Sequence, residues 1–197
     1  MRELSGGQRD LNSKLKKQGA GFEINSLDDA QRVIDLAREV LEEKIKNGEN
    51  FENFLKRDPE NDDNIKKNFD TRTYSIVVDV DGKEIKIGHV VVNYDTDEGG
   101  KKTAFLADVG VFVKSLRKGL GLGRLLLEKV GIDAKKMGCE FIMAAAINNR
   151  SDLQEHPCFF YQKLGYKIES GYSEEEIRRA VEDGDILPVY VIKYLDK

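Results

Sequence analysis

Six consecutive residues, Lys118 to Gly123, have the composition of an anion-binding loop. Glycine occupies every second position of this run, which follows an apolar segment ending at Val113 and opens a leucine-rich helix. Because glycine has no Cβ, a bulky group can lie against the main chain, and the first N–H groups of a helix have no intrahelical partner. Four basic residues add full positive charges around the loop: Lys114, Arg117, Lys118 and Arg124. We therefore predict that the loop binds a diphosphate.

Two common phosphate-binding patterns do not fit these glycines. A Walker loop requires G-x-x-x-x-G-K-(S/T), and neither Lys-Ser nor Lys-Thr follows the run. The dinucleotide fingerprint G-x-G-x-x-G requires glycine or alanine at position 124, where Arg124 stands. A purely structural interpretation stays open, in which the glycines only permit tight packing at a helix entry.

A third pattern, (R/Q)-x-x-G-x-(G/A) after an apolar strand, fits better and resembles the coenzyme A pyrophosphate loop of the GNAT acetyltransferases. Lys118, Gly121 and Gly123 fill it, with lysine as a mild departure from arginine or glutamine. The resemblance implies acetyl-coenzyme A as the donor substrate and no metal. It also implies a set of donor-binding residues: Val111, Val113, Lys118, Gly119, Leu120, Gly121, Leu122, Gly123, Arg124 and Asn149. Of these, the two valines are expected to contribute backbone groups. Asn149 would correspond to an asparagine that the family has after the crossover strand. In the family this asparagine usually stands at a shorter distance before the tyrosine, and that distance falls on Gln154 here.

A second resemblance lies at residues 160–166, F-Y-Q-K-L-G-Y. GNAT domains carry F-Y-x-K-L-G-(F/Y) at the end of their fourth helix, at a similar distance from the glycine loop. Two motifs at the expected separation are more specific than either one alone. The resemblance covers about residues 20–197, so we expect a GNAT domain over 18–197 with an added helix over 173–183.

Tyr161 is the first candidate catalytic residue. It matches the tyrosine with which many GNAT enzymes protonate the coenzyme A sulfur, and a phenol of pKa ~10 can donate to a thiolate of pKa ~8.5 when the two are aligned. The alternative is an aromatic residue that packs in the core with a polar tip, since Tyr161 stands in the cluster Phe159-Phe160-Tyr161.

Asp108 and His156 are the candidates for the general base, each acting through water. Histidine has the more suitable unperturbed pKa. Both residues also have structural interpretations, and many family members show no dedicated base. Cys158 as an acyl-accepting nucleophile is a further alternative, although no base stands near it in the sequence to activate it.

The fold expected to position these residues is α/β, with a mixed, mostly antiparallel sheet. Residues 74–80 and 86–94 predict strands around the hairpin turn Asp81-Gly82, and 104–113 predicts the third strand of a meander. A helix from about Gly121 and an apolar strand over 140–147 then form one right-handed parallel crossover. The resemblance implies that its two strands splay apart. We also expect a strand over 21–25, a helix capped by Ser26, a short helix around 51–56 and a last strand over 189–195.

The composition restricts the function classes. The chain has 197 residues, 40% of them hydrophobic, and a net charge of −4, which argues against nonspecific nucleic-acid binding. With no apolar run near ~20 residues and a polar N-terminus, we expect no membrane association and a cytoplasmic protein. Cys139 and Cys158 show no metal-ligand spacing and are expected to be buried thiols. Residues 1–17 are expected to form a basic, mostly disordered extension.

The sequence thus predicts an acetyl-coenzyme A-dependent N-acetyltransferase, a monomer or homodimer, that acts on a small-molecule amine or on a peptide or protein amine. The acidic segment Asp58 to Asp63 favours a polycationic acceptor, if it is more than a solvated loop. Two alternatives remain. One is a non-catalytic acyl-coenzyme A sensor or interaction module, and the other is a nucleic-acid binder that uses the basic extension.

Overall fold

The computed structural model describes residues 27–57, 70–111, 121–148 and 155–195. Helix α1, Leu27–Lys46, confirms the helix that the apolar spacing predicts. Its buried face consists of Val33, Ile34, Ala37 and Leu41, at helical spacing. The predicted strand over 21–25 and the predicted cap Ser26 lie outside the described residues.

The short helix predicted around residues 51–56 is confirmed only over its first four residues. The structure has a single 3₁₀ turn, Phe51–Phe54, followed by strand β1, Leu55–Arg57. The Asn50 side chain accepts a hydrogen bond from the Glu52 N–H and begins the turn. Leu55 then takes an extended conformation because it pairs with Ile76 of the neighbouring strand, so tertiary pairing overrides the local helical pattern.

Three long strands follow: β2, Asp70–Val80, β3, Lys83–Thr96, and β4, Lys102–Val111. The turn between β2 and β3 confirms the predicted type I′ hairpin, since φ is 53° at Asp81 and 77° at Gly82. Asp79 Oδ1 accepts a hydrogen bond of 3.1 Å from the Gly82 N–H. The buried apolar residues of β2 and β3 include Ile76, Val78, Val80, Ile85, Ile87, Val90 and Val92.

Helix α2, Leu122–Lys136, and strand β5, Cys139–Ile147, complete the predicted crossover. Gly138, with φ of 78°, makes the left-handed bend between them. β5 is parallel to β4, with pairs that run from Lys102 and Cys139 to Leu106 and Ala144. Over the described residues both strands continue past this register, so the parallel pairing covers only their first part.

The remaining elements are α3, Pro157–Lys163, β6, Lys167–Ile168, α4, Glu174–Asp183, and β7, Pro188–Tyr194. The α4 helix is the one predicted over 173–183. The seven strands form one sheet in the order β1-β2-β3-β4-β5-β7-β6. β5 with β7 and β6 with β7 are antiparallel, whereas β4 with β5 is parallel. The mixed, mostly antiparallel fold class is therefore confirmed.

The chain forms two compact units. Within the described residues, the first holds 27–57, 73–90, 109–111 and 121–126, and the second holds 70–72, 91–108, 127–148 and 155–195. None of the described helices combines the length and the apolarity needed to cross a bilayer.

Candidate active site

In the first unit, Gly121 is the described part of the glycine loop that precedes α2. It has φ of 65°, a left-handed conformation that glycine adopts without strain, and a Cβ built there would meet no atom of the described residues within 4 Å. Its carbonyl accepts the hydrogen bond of the Leu125 N–H at 3.0 Å, so helical bonding starts here. The first turn of α2 contains no acidic residue, and Arg124 is exposed. These features suit a bound anion.

The Leu122 side chain, 1% exposed, fixes this loop to the core. Gly123 follows it within the first turn of α2. Five other residues expected to bind the donor lie outside the described residues: Val113, Lys118, Gly119, Leu120 and Asn149. Of the two valines predicted to offer backbone groups, only Val111 is described, as the last residue of β4.

Next to Val111, Gly110 makes an unusually close approach to a neighbouring strand. A Cβ on Gly110 would lie 2.6 Å from Cε1 of His89, which belongs to β3. The imidazole of His89 therefore occupies the space that a side chain at position 110 would need. Sequence reasoning missed this contact, because Gly110 and His89 belong to different strands and are distant in the sequence.

In the second unit, Tyr161 lies on α3 with a side chain that is 8% exposed. Its ring makes edge contacts with Phe160, at 5.5 Å between centroids, and with Tyr166, at 5.3 Å. Burial, and to a lesser degree the negative charge of Asp108, raise the pKa of Tyr161 to about 12. The phenol is therefore protonated at neutral pH and can act only as a proton donor.

Asp108, in contrast, is exposed on β4. The negative charge of Asp108 is the smaller of the two causes that raise the pKa of Tyr161, so these two predicted catalytic residues lie within electrostatic range of each other.

His156, the third predicted catalytic residue, is 1% exposed and caps the N-terminus of α3. Its Nδ1 accepts a hydrogen bond of 3.2 Å from the Cys158 N–H, and its Nε2 lies 2.8 Å from the Leu187 carbonyl oxygen. The accepting role of Nδ1 assigns the proton to Nε2, which donates to Leu187. Burial lowers the pKa of His156 despite the bond to Leu187. Both ring nitrogens of His156 are therefore hydrogen-bonded to backbone groups.

Asn148, the residue before the predicted Asn149, works with His156. Asn148 Oδ1 accepts a hydrogen bond of 2.7 Å from the Leu187 N–H, and its Nδ2 donates to the Asp185 carbonyl at 2.5 Å. Asn148 and His156 therefore satisfy both backbone groups of Leu187, and they connect the end of β5 and the start of α3 to the segment before β7. Sequence reasoning missed Asn148, since its partners are 37 and 39 residues away.

The second motif has a clear local structure. Gly165 has φ of 84°, its N–H donates to the Gln162 carbonyl at 3.0 Å, and the Tyr166 N–H donates to the Tyr161 carbonyl at 3.1 Å. These two bonds form a Schellman motif, in which the residue after the glycine packs on the last helical turn. The motif thereby fixes Tyr166 against Tyr161.

Cys139 and Cys158 are confirmed as buried free thiols. Burial, together with the charge of Glu174, raises the pKa of Cys158 to about 11. Since the thiolate is the nucleophile, a thiol that stays protonated at neutral pH is poorly suited to accept an acyl group.

Comparisons with known proteins agree with these motifs. Residues 71–168 match the family model described as "Acetyltransferase (GNAT) domain". No curated protein matches the sequence. Among solved structures, a protein from Desulfovibrio desulfuricans assigned to the GNAT acetyltransferases is 18% identical, over 64% of this chain and 70% of that one, with a TM-score of 0.44.

Two further structures were solved with acetyl-coenzyme A. A Bacillus anthracis protein assigned as a streptothricin acetyltransferase is 22% identical, over 66% of this chain and 64% of that one, with a TM-score of 0.41. A GNAT-family acetyltransferase from Elizabethkingia anophelis is 17% identical, over 64% of this chain and 76% of that one, with a TM-score of 0.43.

The family match runs from the first residues of β2 to the end of β6 and so includes the meander, the crossover and both motifs. With the mixed sheet and its single parallel pair, it establishes that the chain is an acyltransferase that belongs to the GNAT acetyltransferases.

Proposed function

We propose that this protein transfers the acetyl group of acetyl-coenzyme A to a primary amine by direct attack in a ternary complex. The observation that carries the proposal is the pair formed by Tyr161, a buried phenol that is protonated at neutral pH, and the exposed carboxylate of Asp108. An amide-forming transfer needs one group that gives a proton and one that takes a proton, and this pair offers both.

Acetyl-coenzyme A, when bound, supplies an acyl group on a thioester. The residues proposed to hold it are those of the glycine loop, where the main chain at Gly121 is open and the first turn of α2 lacks acidic residues. Backbone groups near Val111 and Val113 are proposed to orient the thioester and its oxygen, in keeping with the short register of the parallel pair.

Tyr161 is proposed to give its proton to the sulfur as the carbon–sulfur bond breaks. Asp108 is proposed to take the proton that the attacking nitrogen releases, directly or through a water molecule. His156 is the weaker candidate for this role, because its two nitrogens already bind Cys158 and Leu187. Tyr161 recovers its proton from solvent after the thiol leaves.

The acceptor is proposed to be polycationic, such as a polyamine, an aminoglycoside or a lysine-rich peptide. The support comes from the sequence, since the segment 58–63 carries four carboxylates within six positions. A cluster of like charges raises the local concentration of an opposite charge. This segment lies outside the described residues.

We further propose a cytoplasmic protein, either a monomer or a homodimer, because both cysteines are free and such thiols are usual in reducing compartments. The GNAT domain is proposed to extend over 18–197, with residues 1–17 as an extension and 173–183 as an addition.

The second candidate function is a sensor that binds acyl-coenzyme A without turnover. It is favoured by Lys118 at a position where the family has arginine or glutamine, and by the high pKa of Tyr161, which opposes proton release. Release of free thiol across a panel of amines distinguishes the two functions. Saturable binding of acetyl-coenzyme A without thiol release from any amine, peptide or protein would favour the sensor.

Tyr161→Phe tests the proposed mechanism, because it removes one oxygen and keeps the ring contacts with Phe160 and Tyr166. We expect kcat to fall by at least tenfold, in line with typical contributions of general acids, while the melting temperature and the affinity for acetyl-coenzyme A hold. A kcat within about twofold of the parent value would show that Tyr161 is not the general acid.

A further inference from the structure

The Tyr166 hydroxyl is a buried polar group that local structure leaves unsatisfied. Its side chain is 3% exposed, and the oxygen has no hydrogen-bond partner in the part of the chain that the structure describes. A buried hydroxyl without a partner destabilises a fold, and the family motif accepts phenylalanine at this position. The oxygen of Tyr166 is therefore unfavourable for stability and needs another explanation.

The Tyr166 ring packs against Tyr161, the proposed general acid. The rings of Tyr161 and Tyr166 meet edge to face at 5.3 Å and 69°, and the Schellman motif after α3 fixes this arrangement through the bond from the Tyr166 N–H to the Tyr161 carbonyl. Burial and the electrostatic effect of Tyr161 raise the pKa of Tyr166, so its O–H stays a proton-bearing donor.

A charged side chain beside the Tyr166 ring is that of Lys193 on β7. Its Nζ lies 5.5 Å from the centre of the Tyr166 ring and donates to the Leu164 carbonyl at 2.9 Å. Lys193 therefore caps the end of α3, and its charge lies over the face of the ring. Negative charge near these rings is opposed by Asp108 and favoured by Lys193.

We propose that Tyr166 is a positioning residue whose O–H donates a hydrogen bond to the Tyr161 phenolate that forms during acetyl transfer. This inference rests on the proposed function. In the step concerned, the nitrogen–carbon bond forms, the carbon–sulfur bond breaks, and the sulfur takes the proton of Tyr161. The nitrogen loses its extra proton to Asp108 or to solvent, and the phenolate is reprotonated from solvent. Tyr166 transfers no proton.

The physical reason is the free energy needed to form a phenolate at Tyr161. Tyr161 is buried and lies within electrostatic range of the Asp108 carboxylate, and both features disfavour a negative charge on its oxygen. A hydroxyl that has no partner among the described residues and belongs to a ring packed against Tyr161 can stabilise that charge only when it appears. Such an interaction lowers the barrier without strengthening the binding of substrates.

A double-mutant cycle with Tyr161→Phe and Tyr166→Phe tests the proposal, with the exposed Tyr172→Phe as the matched control. We expect Tyr166→Phe to lower kcat about tenfold or more with KM values unchanged, because hydrogen bonds to charged groups are strong. In the Tyr161→Phe background, the same change should alter kcat by less than twofold. Tyr172→Phe should leave kcat unchanged in both backgrounds.

Stability gives a readout that does not depend on turnover. Because the Tyr166 hydroxyl has no partner among the described residues, Tyr166→Phe should leave the free energy of unfolding unchanged or raise it. A loss of stability, a kcat within twofold of the parent value, or an equal fall in both backgrounds would overturn the proposal. If Tyr161→Phe itself leaves kcat unchanged, the general-acid mechanism fails; a failure confined to Tyr166→Phe concerns this inference alone.

Discussion

At the scale of single residues, His156 connects protonation to stability. The folded protein keeps His156 neutral, since burial lowers its pKa and Nδ1 accepts a hydrogen bond from Cys158. The unfolded chain exposes an imidazole of pKa ~6.5. Below that pH the unfolded state binds the additional proton, so this histidine contributes a loss of stability as the pH falls from about 6.5 toward its lower folded value.

We therefore predict that the parent protein loses stability between pH 7 and pH 5 more steeply than His156→Asn does. Asparagine is a good N-cap residue and does not titrate, so the variant keeps the cap of α3 and loses the proton linkage. The slope attributable to His156 is at most about 1.4 kcal/mol per pH unit. Urea unfolding at several pH values measures it, and parallel curves for the two proteins would contradict the assignment.

Gly110 is the second residue whose role depends on a single contact. We predict that Gly110→Ala destabilises the protein by about 1–3 kcal/mol, because the new methyl group would lie 2.6 Å from Cε1 of His89. The double variant Gly110→Ala, His89→Ala should recover part of that loss, since it vacates the space. Chemical denaturation of the two single variants and the double variant measures the coupling. Additive losses would show that the contact is not the cause.

At the scale of elements, helix α4 has a complete capping box. The Ser173 Oγ accepts from the Glu176 N–H at 3.3 Å, and Glu176 Oε2 accepts from the Ser173 N–H at 2.7 Å. The hydrogen bonds that the Ser173 N–H and the Ser173 hydroxyl donate to this carboxylate lower the pKa of Glu176. The contribution of Glu176 to stability is therefore present near neutral pH and is lost in acid, as the pH falls through that lowered value. Ile177, fully buried, anchors the helix.

Ser173→Ala should therefore cost about 0.5–2 kcal/mol of unfolding free energy, whereas Ser173→Asp, which can still cap, should cost less. Thermal or urea unfolding of both variants at neutral pH checks this. If alanine and aspartate destabilise equally, the capping box does not hold the helix.

The elements also show which parts of the structure could be predicted from the sequence. The Asp81-Gly82 turn and the capping box were predictable because each depends on residues close together in the chain. The crossover was predictable because a strand, a helix and a strand follow one another in the sequence, and such units have one preferred connection. The strand Leu55–Arg57 was not, because its extended conformation comes from pairing with residues 74–76. The same limit applies to His156 and Asn148, whose shared partner Leu187 is more than 30 residues away. The unsatisfied hydroxyl of Tyr166 could not be predicted from the motif, because the motif allows either tyrosine or phenylalanine at this position.

At the scale of the whole molecule, acetyl-coenzyme A should stabilise the fold. A ligand that binds only the folded state at about 100 times its dissociation constant adds roughly 2.7 kcal/mol. We predict a concentration-dependent rise in the melting temperature, measured by thermal shift. Gly121→Ala should reduce this rise, because the left-handed φ of 65° disfavours alanine and the change distorts the loop. Gly48→Ala, at a similar φ of 87° in a distant segment, is the matched control.

The acidic segment 58–63 gives a second prediction at this scale. Replacing Asp58, Glu60, Asp62 and Asp63 by Asn or Gln should raise the KM of a polycationic acceptor at low salt and leave the KM of acetyl-coenzyme A unchanged. Steady-state kinetics at two salt concentrations measure both constants. Equal acceptor KM values for the two proteins, or a preferred acceptor with net negative charge, would show that the segment only serves as a charged surface.

The central claim is that this chain moves acetyl groups from acetyl-coenzyme A to amines. The most direct measurement incubates the protein with isotopically labelled acetyl-coenzyme A and a panel of polyamines, aminoglycosides, lysine-rich peptides and neutral amines, and quantifies free thiol and labelled amide in the same samples. We predict equal amounts of thiol and amide, largest for polycationic acceptors and strongly reduced in Tyr161→Phe. Thiol without amide, or neither product with any amine while acetyl-coenzyme A binds, would contradict the claim.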